Sequence, residues 1–359
     1  MENRRNFGGP TYRPPSRRVG SRSRILGYYS VDADRNFTPD SSKLKYFNPP
    51  ESNLVTFDLD DGREEADPSN GIFQQPGMSR TIQWIAANQR HVKMTPNSDR
   101  LISPHFVCNL GLLSRLMTAP YTPNECWRIW AGKWKGTIYL RTDKSMQQKP
   151  SEFELKFGYW GNKFQQYITS ESPSKAPDTS KPVVETEEFR CVYQHQFSKY
   201  SVLFSAVRKA VISKEKLSDP LPLHKLKFID LRTNKIIEHA GHDKNLKKYK
   251  FLQWWVRAYL TNDDKVLCGF RDDNGVVSIL NTFETHQMVK ASRNFWNPEE
   301  CIKCCDTLLE KLAEIVIDDS DETIYELTRN SHEEFDIKEL KPSDENRVPP
   351  EWYKNTMSQ

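Results

Sequence analysis

The sequence predicts a soluble α/β protein, and three observations carry that reading. Apolar residues recur three and four apart in several stretches, as they do on the buried face of a helix. Between these stretches lie short β-branched and aromatic runs bounded by Gly, Pro, Asn and Asp, two of which flank an Asn-Gly pair. Nine Trp, eighteen Phe and 36% hydrophobic residues in a chain of 359 supply enough large apolar groups for one large core.

Residues 1–24 combine Arg, Ser, Gly and Pro with few apolar side chains, a composition that does not offset the entropy of ordering and predicts a disordered basic arm. Arg4, Arg5, Arg13, Arg17, Arg18, Arg22 and Arg24 face only Glu2 there. Such an arm reads either as an RNA-contacting or nuclear-import tail, or as a solvated leader. From Ile25 to Gly62 short strands and turns are expected. Ile82, Ile85 and Ala86, then Phe106, Leu110, Leu113 and Met117, carry helical spacing, and Trp127–Trp134 reads as its continuation. Gly136–Leu140 reads as a strand, Phe153–Ile168 as a Gly-punctuated aromatic segment and Thr169–Glu188 as a loop. Val192–Phe204 and Leu226–Leu231 suit strands, and Lys250–Leu260 a Trp-rich helix. Lys265–Arg271 and Val276–Phe283 form a predicted hairpin in which Asn274-Gly275 supplies the positive φ angles. After Pro298 a helix is expected over Cys301–Ile317; residues 318–359 are acidic and expected to be loosely ordered.

The formal net charge of +4 conceals a basic N-terminus and an acidic C-terminus, leaving a mildly basic middle that suits a polyanionic partner. No apolar run is long enough for a membrane span, and none follows the Arg-rich start, which argues against a membrane partner and against secretion. Seven scattered Cys fit reduced thiols in nucleus or cytoplasm. Cys301, Cys304 and Cys305 have no second ligand pair nearby and fall on the stripe of Leu308, Leu309 and Leu312, so they read as core. His239, His242 and Asp243 lack a third ligand and read as loop residues. Lys244, Lys247, Lys248 and Lys250 form a solvated face or, beside Trp254 and Trp255, a guide for a phosphate backbone. No phosphate-binding loop, dinucleotide glycine pattern or nucleophile elbow is present.

Several stretches, in order, resemble the DXO family of RNA 5′-end decapping exoribonucleases. They are Gly27-Tyr-Tyr-Ser-Val-Asp32, Leu44-Lys-Tyr-Phe-Asn-Pro-Pro50, Phe57-Asp-Leu-Asp-Asp-Gly62, Leu116-Met-Thr-Ala-Pro-Tyr121 and Gly136-Thr-Ile-Tyr-Leu140. Tyr159–Tyr167, Leu203-Phe-Ser205, Phe228–Thr233, Gln253-Trp-Trp255, Gly269–Gly275 and Trp296-Asn-Pro298 follow, so the resemblance spans about residues 25–310. It implies a mixed β-sheet core flanked by helices over residues 25–317, related to nucleases that hold divalent metal with carboxylates. It further implies removal of incomplete or non-canonical caps from RNA, often with degradation from that end.

At the positions that match the family's metal-binding motifs, this chain departs from the pattern. Gln165 stands for a Glu, Val207 and Lys209 for a Glu and an Asp, Asp230 and Arg232 for a Glu-x-Lys pair, and Arg257 for a Gln; the Arg expected before Pro120-Tyr121 falls at Asn109 or Leu110. Asp230 alone remains as a candidate metal ligand. An ammonium about 4 Å from a divalent ion repels it by roughly 8 kcal/mol at an effective dielectric of about 20. Lys209, Arg232 and Arg257, with Lys163, therefore make a basic cleft expected to hold the phosphate of an RNA 5′ end without cutting it, and no cofactor is expected. Two alternatives stand beside this degenerate, Cutoff-like reading: a hydrolase using Mg or Mn through Asp230 with Glu154, Glu188 or Glu238, and a scaffold that binds proteins of RNA processing without RNA.

Overall fold

The computed structural model of the chain describes residues 23–65, 78–95, 98–143, 149–330 and 335–359. The predicted N-terminal arm, apart from Ser23 and Arg24, lies outside the described residues. Among the described residues sixteen strands run in chain order as β1 (Ser23–Val31), β2 (Phe37–Thr38), β3 (Tyr46–Phe47), β4 (Leu54–Asp58), β5 (Phe106–Asn109), β6 (Trp127–Trp134), β7 (Thr137–Thr142) and β8 (Thr169–Ser170). They continue as β9 (Glu188–Gln196), β10 (Ser201–Val207), β11 (Ala210–Val211), β12 (Phe228–Lys235), β13 (Lys265–Arg271), β14 (Val276–Glu284), β15 (Ile324–Arg329) and β16 (Phe335–Leu340). The helices are α1 (Ser79–Ala87), α2 (Leu110–Thr118), α3 (Glu152–Ile168), α4 (Ala240–Asn245), α5 (Phe251–Thr261), α6 (Thr285–Ala291), α7 (Pro298–Ile315) and α8 (Glu351–Ser358).

Two mixed sheets are flanked by helices, in agreement with the predicted class. The larger runs β16-β15-β6-β7-β5-β10-β9-β1-β2 and the smaller β4-β14-β13-β12-β11-β3-β8. The parallel pairs β10·β5, β5·β7 and β12·β13 sit in the middle of the sheets, with a further parallel bridge between β11 and β3, among antiparallel neighbours. One core packs the large sheet against α2, α5 and α7, where Trp254, Trp255, Leu308 and the thiols of Cys301 and Cys305 are buried. A second, on the other face of that sheet, takes in Ile82, Ile85, Tyr353 and Met357 from α1 and α8. A third seats Tyr159, Trp160, Phe164 and Ile168 of α3 on the small sheet.

Three expectations are corrected. Trp127–Trp134 is a strand: Trp127, Ile129 and Ala131 are buried while Arg128 and Trp130 are only partly so, the period-two burial of a pleated segment. Phe106 likewise belongs to β5, and the helix begins only at Leu110, with the Asn109 side chain accepting from the Leu112 N–H at 2.7 Å. The acidic C-terminal segment is integral to the larger sheet. There β15 pairs with β6, Leu327 opposite Ile129, and the Arg329 guanidinium donates to the Ala119 and Thr122 carbonyls at 2.8 and 3.0 Å. Its acids had masked a strand whose inward residues are Tyr325, Leu327 and Arg329. Close approach fixes the join, since a Cβ on Gly132 of β6 would lie 2.0 Å from the Val348 carbonyl oxygen.

The hairpin of β13 and β14 forms as predicted, by a different turn. Only Gly275 has positive φ, at 94°, and the Asp272 carboxylate instead accepts the Asn274 and Val276 N–H groups at 3.0 and 2.8 Å. The Gly275 backbone packs so near the Trp160 indole that a Cβ would fall 2.7 Å from it.

Candidate functional site

The chain leaves the large sheet at the end of β10 and enters the small one at β11, and Arg208-Lys209 is the link. A cleft of about 1390 Å³ opens there. One wall is a single stripe of α3, Glu154, Phe157, Gly158, Gly161, Asn162 and Gln165, spaced three and four apart. The facing wall carries Lys250, Trp254 and Arg257 at the start and middle of α5, which follows a π-type turn over Leu246–Lys250. Basic side chains lining the cleft number twelve against six acids, so its potential is positive.

At its floor, antiparallel pairing of β11 with β12 sets Ala210 opposite Ile229 and thereby brings Lys209 beside Asp230. Asp230 and Arg232 are two apart on β12 and project from one face. The Arg232 Nε and Nη2 both donate to one Asp230 carboxylate oxygen, at 2.9 and 2.6 Å. Burial works to raise the Asp230 pKa, but Arg232, Arg257, Lys209 and Arg208 outweigh it and hold the carboxyl down at about 2. Burial and then Arg232 push the Lys209 amine down to about 8, with Asp230 opposing and Arg257 adding to the fall. The same burial, with Arg232 again next, lowers Arg257 to about 10. One carboxylate is thus shared by several cations crowded at low dielectric, an arrangement that favours a second anion.

Of the residues singled out in the sequence, Gln165, Val207, Lys209, Arg232 and Arg257 line this cleft, as do Asn109 and Leu110, and Asp230 lies at its floor. The Gln165 amide donates to the Lys209 carbonyl at 3.2 Å, tying α3 to the crossover. Lys163 is a correction. Two positions from Gln165 is about 200° around the helix. Its amine accordingly sits on the opposite side, donating to Asp61 at 2.8 Å near the Tyr167 ring. Of the alternative acids, Glu154 lines the cleft but is held in the capping box of α3 by Ser151, and Glu188 lines it paired with Arg190 at 2.6 Å. Glu238 is absent from the cleft wall and contacts Lys235 and His242. His239 caps α4, with its ring 3.8 Å from that of His242.

Sequence reasoning missed two supports. Arg208 is buried, its guanidinium stacked over Phe228 and paired with buried Asp263 at 2.5 Å; Asp263 also accepts from the Thr261 hydroxyl at 2.7 Å. On the other side of the crossover Arg190 reaches the Ser205 hydroxyl at 3.4 Å, which Tyr29 and Thr81 also contact. Arg208 stood in plain view beside Lys209; nothing in the sequence linked it to Asp263, fifty-five residues on.

Residues 21–354 match the family model described as RAI1 like PD-(D/E)XK nuclease. The chain belongs to that family. RAI1-like relatives include the human decapping and exoribonuclease protein, 28% identical over 326 residues that cover 88% of this chain and 78% of that protein. The decapping nuclease dom-3 of Caenorhabditis elegans is 28% identical over 88% of this chain and 79% of its own. Among solved structures, Rai1 of Scheffersomyces stipitis superposes with a TM-score of 0.79 at 17% identity, covering 94% of this chain and 97% of that one. Candida albicans Rai1, in complex with pU5-Mn2+, gives 0.78 at 17% identity over 95% and 97%. The RAI1-like fold of this chain is therefore established, and with it a place in a family of RNA decapping and 5′-end nucleases.

Manganese in that relative poses the question of metal here, and the donor set of this cleft does not fit it. A hard divalent ion takes several oxygen ligands, mostly carboxylates. Among the described residues no group of three or more His, Cys, Asp or Glu side chains converges. At the crossover the Asp230 carboxylate is already engaged by Arg232, and those of Asp263 and Glu188 by Arg208 and Arg190.

Proposed function

We propose that this RAI1-like protein holds RNA 5′ ends through their phosphate and does not hydrolyse them. The observation that supports this most directly is the floor of the cleft. Lys209, Arg232 and Arg257 stand around Asp230 at the positions where resemblance to the decapping nucleases places metal ligands and their partners. A terminal phosphate oxygen set down among these groups meets donors fixed by Asp230 and by the Gln165 contact to the Lys209 backbone, so little reorganisation is needed to bind it. The two guanidiniums carry no acceptor able to activate water, the Lys209 amine is protonated below about 8, and the Asp230 carboxylate is bound to Arg232.

The test pairs binding with turnover, on full-length protein with capped, triphosphate and monophosphate RNAs. Lys209→Glu with Arg257→Glu is expected to weaken binding of 5′-phosphorylated RNA and to reduce the slope of log affinity against log salt by about 1.4, two contacts at about 0.7 each for a single strand. Product release sustained by Mn2+ and abolished in Asp230→Ala would overturn the reading in favour of a decapping hydrolase. RNA affinity unchanged by the double charge reversal would leave the fold as a scaffold for proteins.

A further inference from the structure

One end of the α3 stripe is aromatic and open. Among the described residues Phe153 is 71% exposed and Phe157 47% exposed, an unusual pair of large apolar rings to leave on one helix face. Phe157 is itself part of the cleft wall. The rings form a ladder with buried Trp160, Phe153 to Phe157 at 6.4 Å between centroids and Phe157 to Trp160 at 5.4 Å. Cations lie over these rings: the Arg271 guanidinium is 4.7 Å from the Phe157 centroid and 4.3 Å from that of Trp160, and the Lys156 amine is 4.6 Å from that of Trp160. Between this ladder and the phosphate-holding floor the same stripe carries Gly158 and Gly161, and a side chain at Gly161 would meet nothing within 4 Å, so the wall is low there.

We propose that Phe157, with Phe153 beyond it, is a stacking platform for the bases of an RNA strand that leaves the cleft floor. The inference rests on the 5′-end reading above and adds to it where the following nucleotides go. Aromatic rings in contact with Arg and continuous with a basic groove are what single-stranded nucleic acid uses without regard to sequence. The distance agrees. Gln165, which touches the Lys209 backbone, is eight residues from Phe157 and twelve from Phe153, about 12 and 18 Å along the helix axis. At about 3.4 Å per stacked nucleotide these rings meet about the third to the fifth base from the 5′ phosphate. A protein segment would also cover exposed Phe, but a nucleic-acid strand brings both a phosphate charge per nucleotide for the twofold excess of basic side chains in the adjoining cleft and flat bases for the rings.

The experiment compares a 5′-phosphorylated uridine dinucleotide with the hexanucleotide, by fluorescence anisotropy or calorimetry on the full chain. The hexanucleotide is expected to bind more tightly than the dinucleotide. Phe157→Ala should weaken the hexanucleotide about tenfold, toward the low end of base–aromatic stacking, and leave the dinucleotide unchanged. Phe157→Trp should restore it. A hexanucleotide abasic at its third to fifth positions should lose a similar factor with wild-type protein and nothing further with Phe157→Ala. Binding of neither oligonucleotide by the wild type would remove the 5′-end reading itself and this inference with it. Tight dinucleotide binding with no gain for the hexanucleotide, or a hexanucleotide affinity untouched by Phe157→Ala, would overturn the platform alone and assign the face to a protein.

Discussion

Replacing Asp230 with Asn removes the negative charge that Arg232, Arg257, Lys209 and Arg208 share. The carboxyl is held at about 2 against an ordinary 3.8. Keeping this carboxyl charged among its cations in the folded state is worth on the order of 2 kcal/mol of native stability. Because the folded value lies below the unfolded one, this contribution is complete above about pH 5 and is lost as pH falls through 3.8 toward about 2. With an unfolding entropy of about 2.1 cal/mol/K per residue, 2 kcal/mol lowers the Tm of a chain this long by about 3 °C at neutral pH. The same change should have an opposite effect on anions: with their internal counter-charge gone, the cations take an external one more readily. Pyrophosphate added to Asp230→Asn should therefore raise its Tm by more than it raises that of the wild type, since a ligand stabilises in proportion to its affinity for the folded state. Differential scanning fluorimetry across pyrophosphate and Mn2+ titrations decides the matter. An unchanged Tm, or Mn2+ stabilising the wild type and failing to stabilise Asp230→Asn, would refute the argument.

Lys209, with its amine at about 8, is expected to lose its charge between pH 7 and 9, so affinity for 5′-phosphorylated RNA should fall over that window. Lys209→Arg should flatten the fall, as measured by anisotropy in matched ionic strength. For stability the sign is reversed: the folded amine releases its proton more easily than the unfolded one, so this residue destabilises the fold below about 8 and the penalty fades as pH rises toward 10.5. Asp263→Ala leaves the Arg208 guanidinium buried without its partner and is expected to cost about 3–5 kcal/mol, read in chemical denaturation; a loss under 1 kcal/mol would show that the pair is dispensable. Tyr353→Ala opens the core between α1 and α8 and should cost about 3–5 kcal/mol in the same measurement, whereas a dispensable tail would lose nothing.

Much of this architecture was legible because local chemistry and global fold agree. The α5 and α7 helices, the β13–β14 hairpin and the buried thiols of Cys301 and Cys305 follow from spacing alone. Trp127–Trp134 was misread because three Trp within eight residues satisfy a helical count as easily as an alternating one, and only the neighbours on either side, β15 and β7, decide which face is inward. The basic floor of the cleft was legible through resemblance, residue by residue, and would have been invisible to composition. Lys163 failed for a reason the sequence did contain, since its two-residue offset from Gln165 forbids a shared helix face. The Phe153–Phe157 pair was seen only as part of an aromatic segment; that it is exposed depends on the small sheet burying Tyr159, Trp160 and Phe164 on the other side.

The place of β15 has a consequence for synthesis. It lies between β6 and β16, so until the ribosome has released residues 324–329 the hydrogen-bonding edge of β6 stays open. An open edge beside apolar side chains invites pairing with other chains. Any product that stops short of this strand presents to chaperones and proteases an unfinished sheet rather than a shortened but serviceable domain, and residues 324–329 thereby govern whether those before them persist.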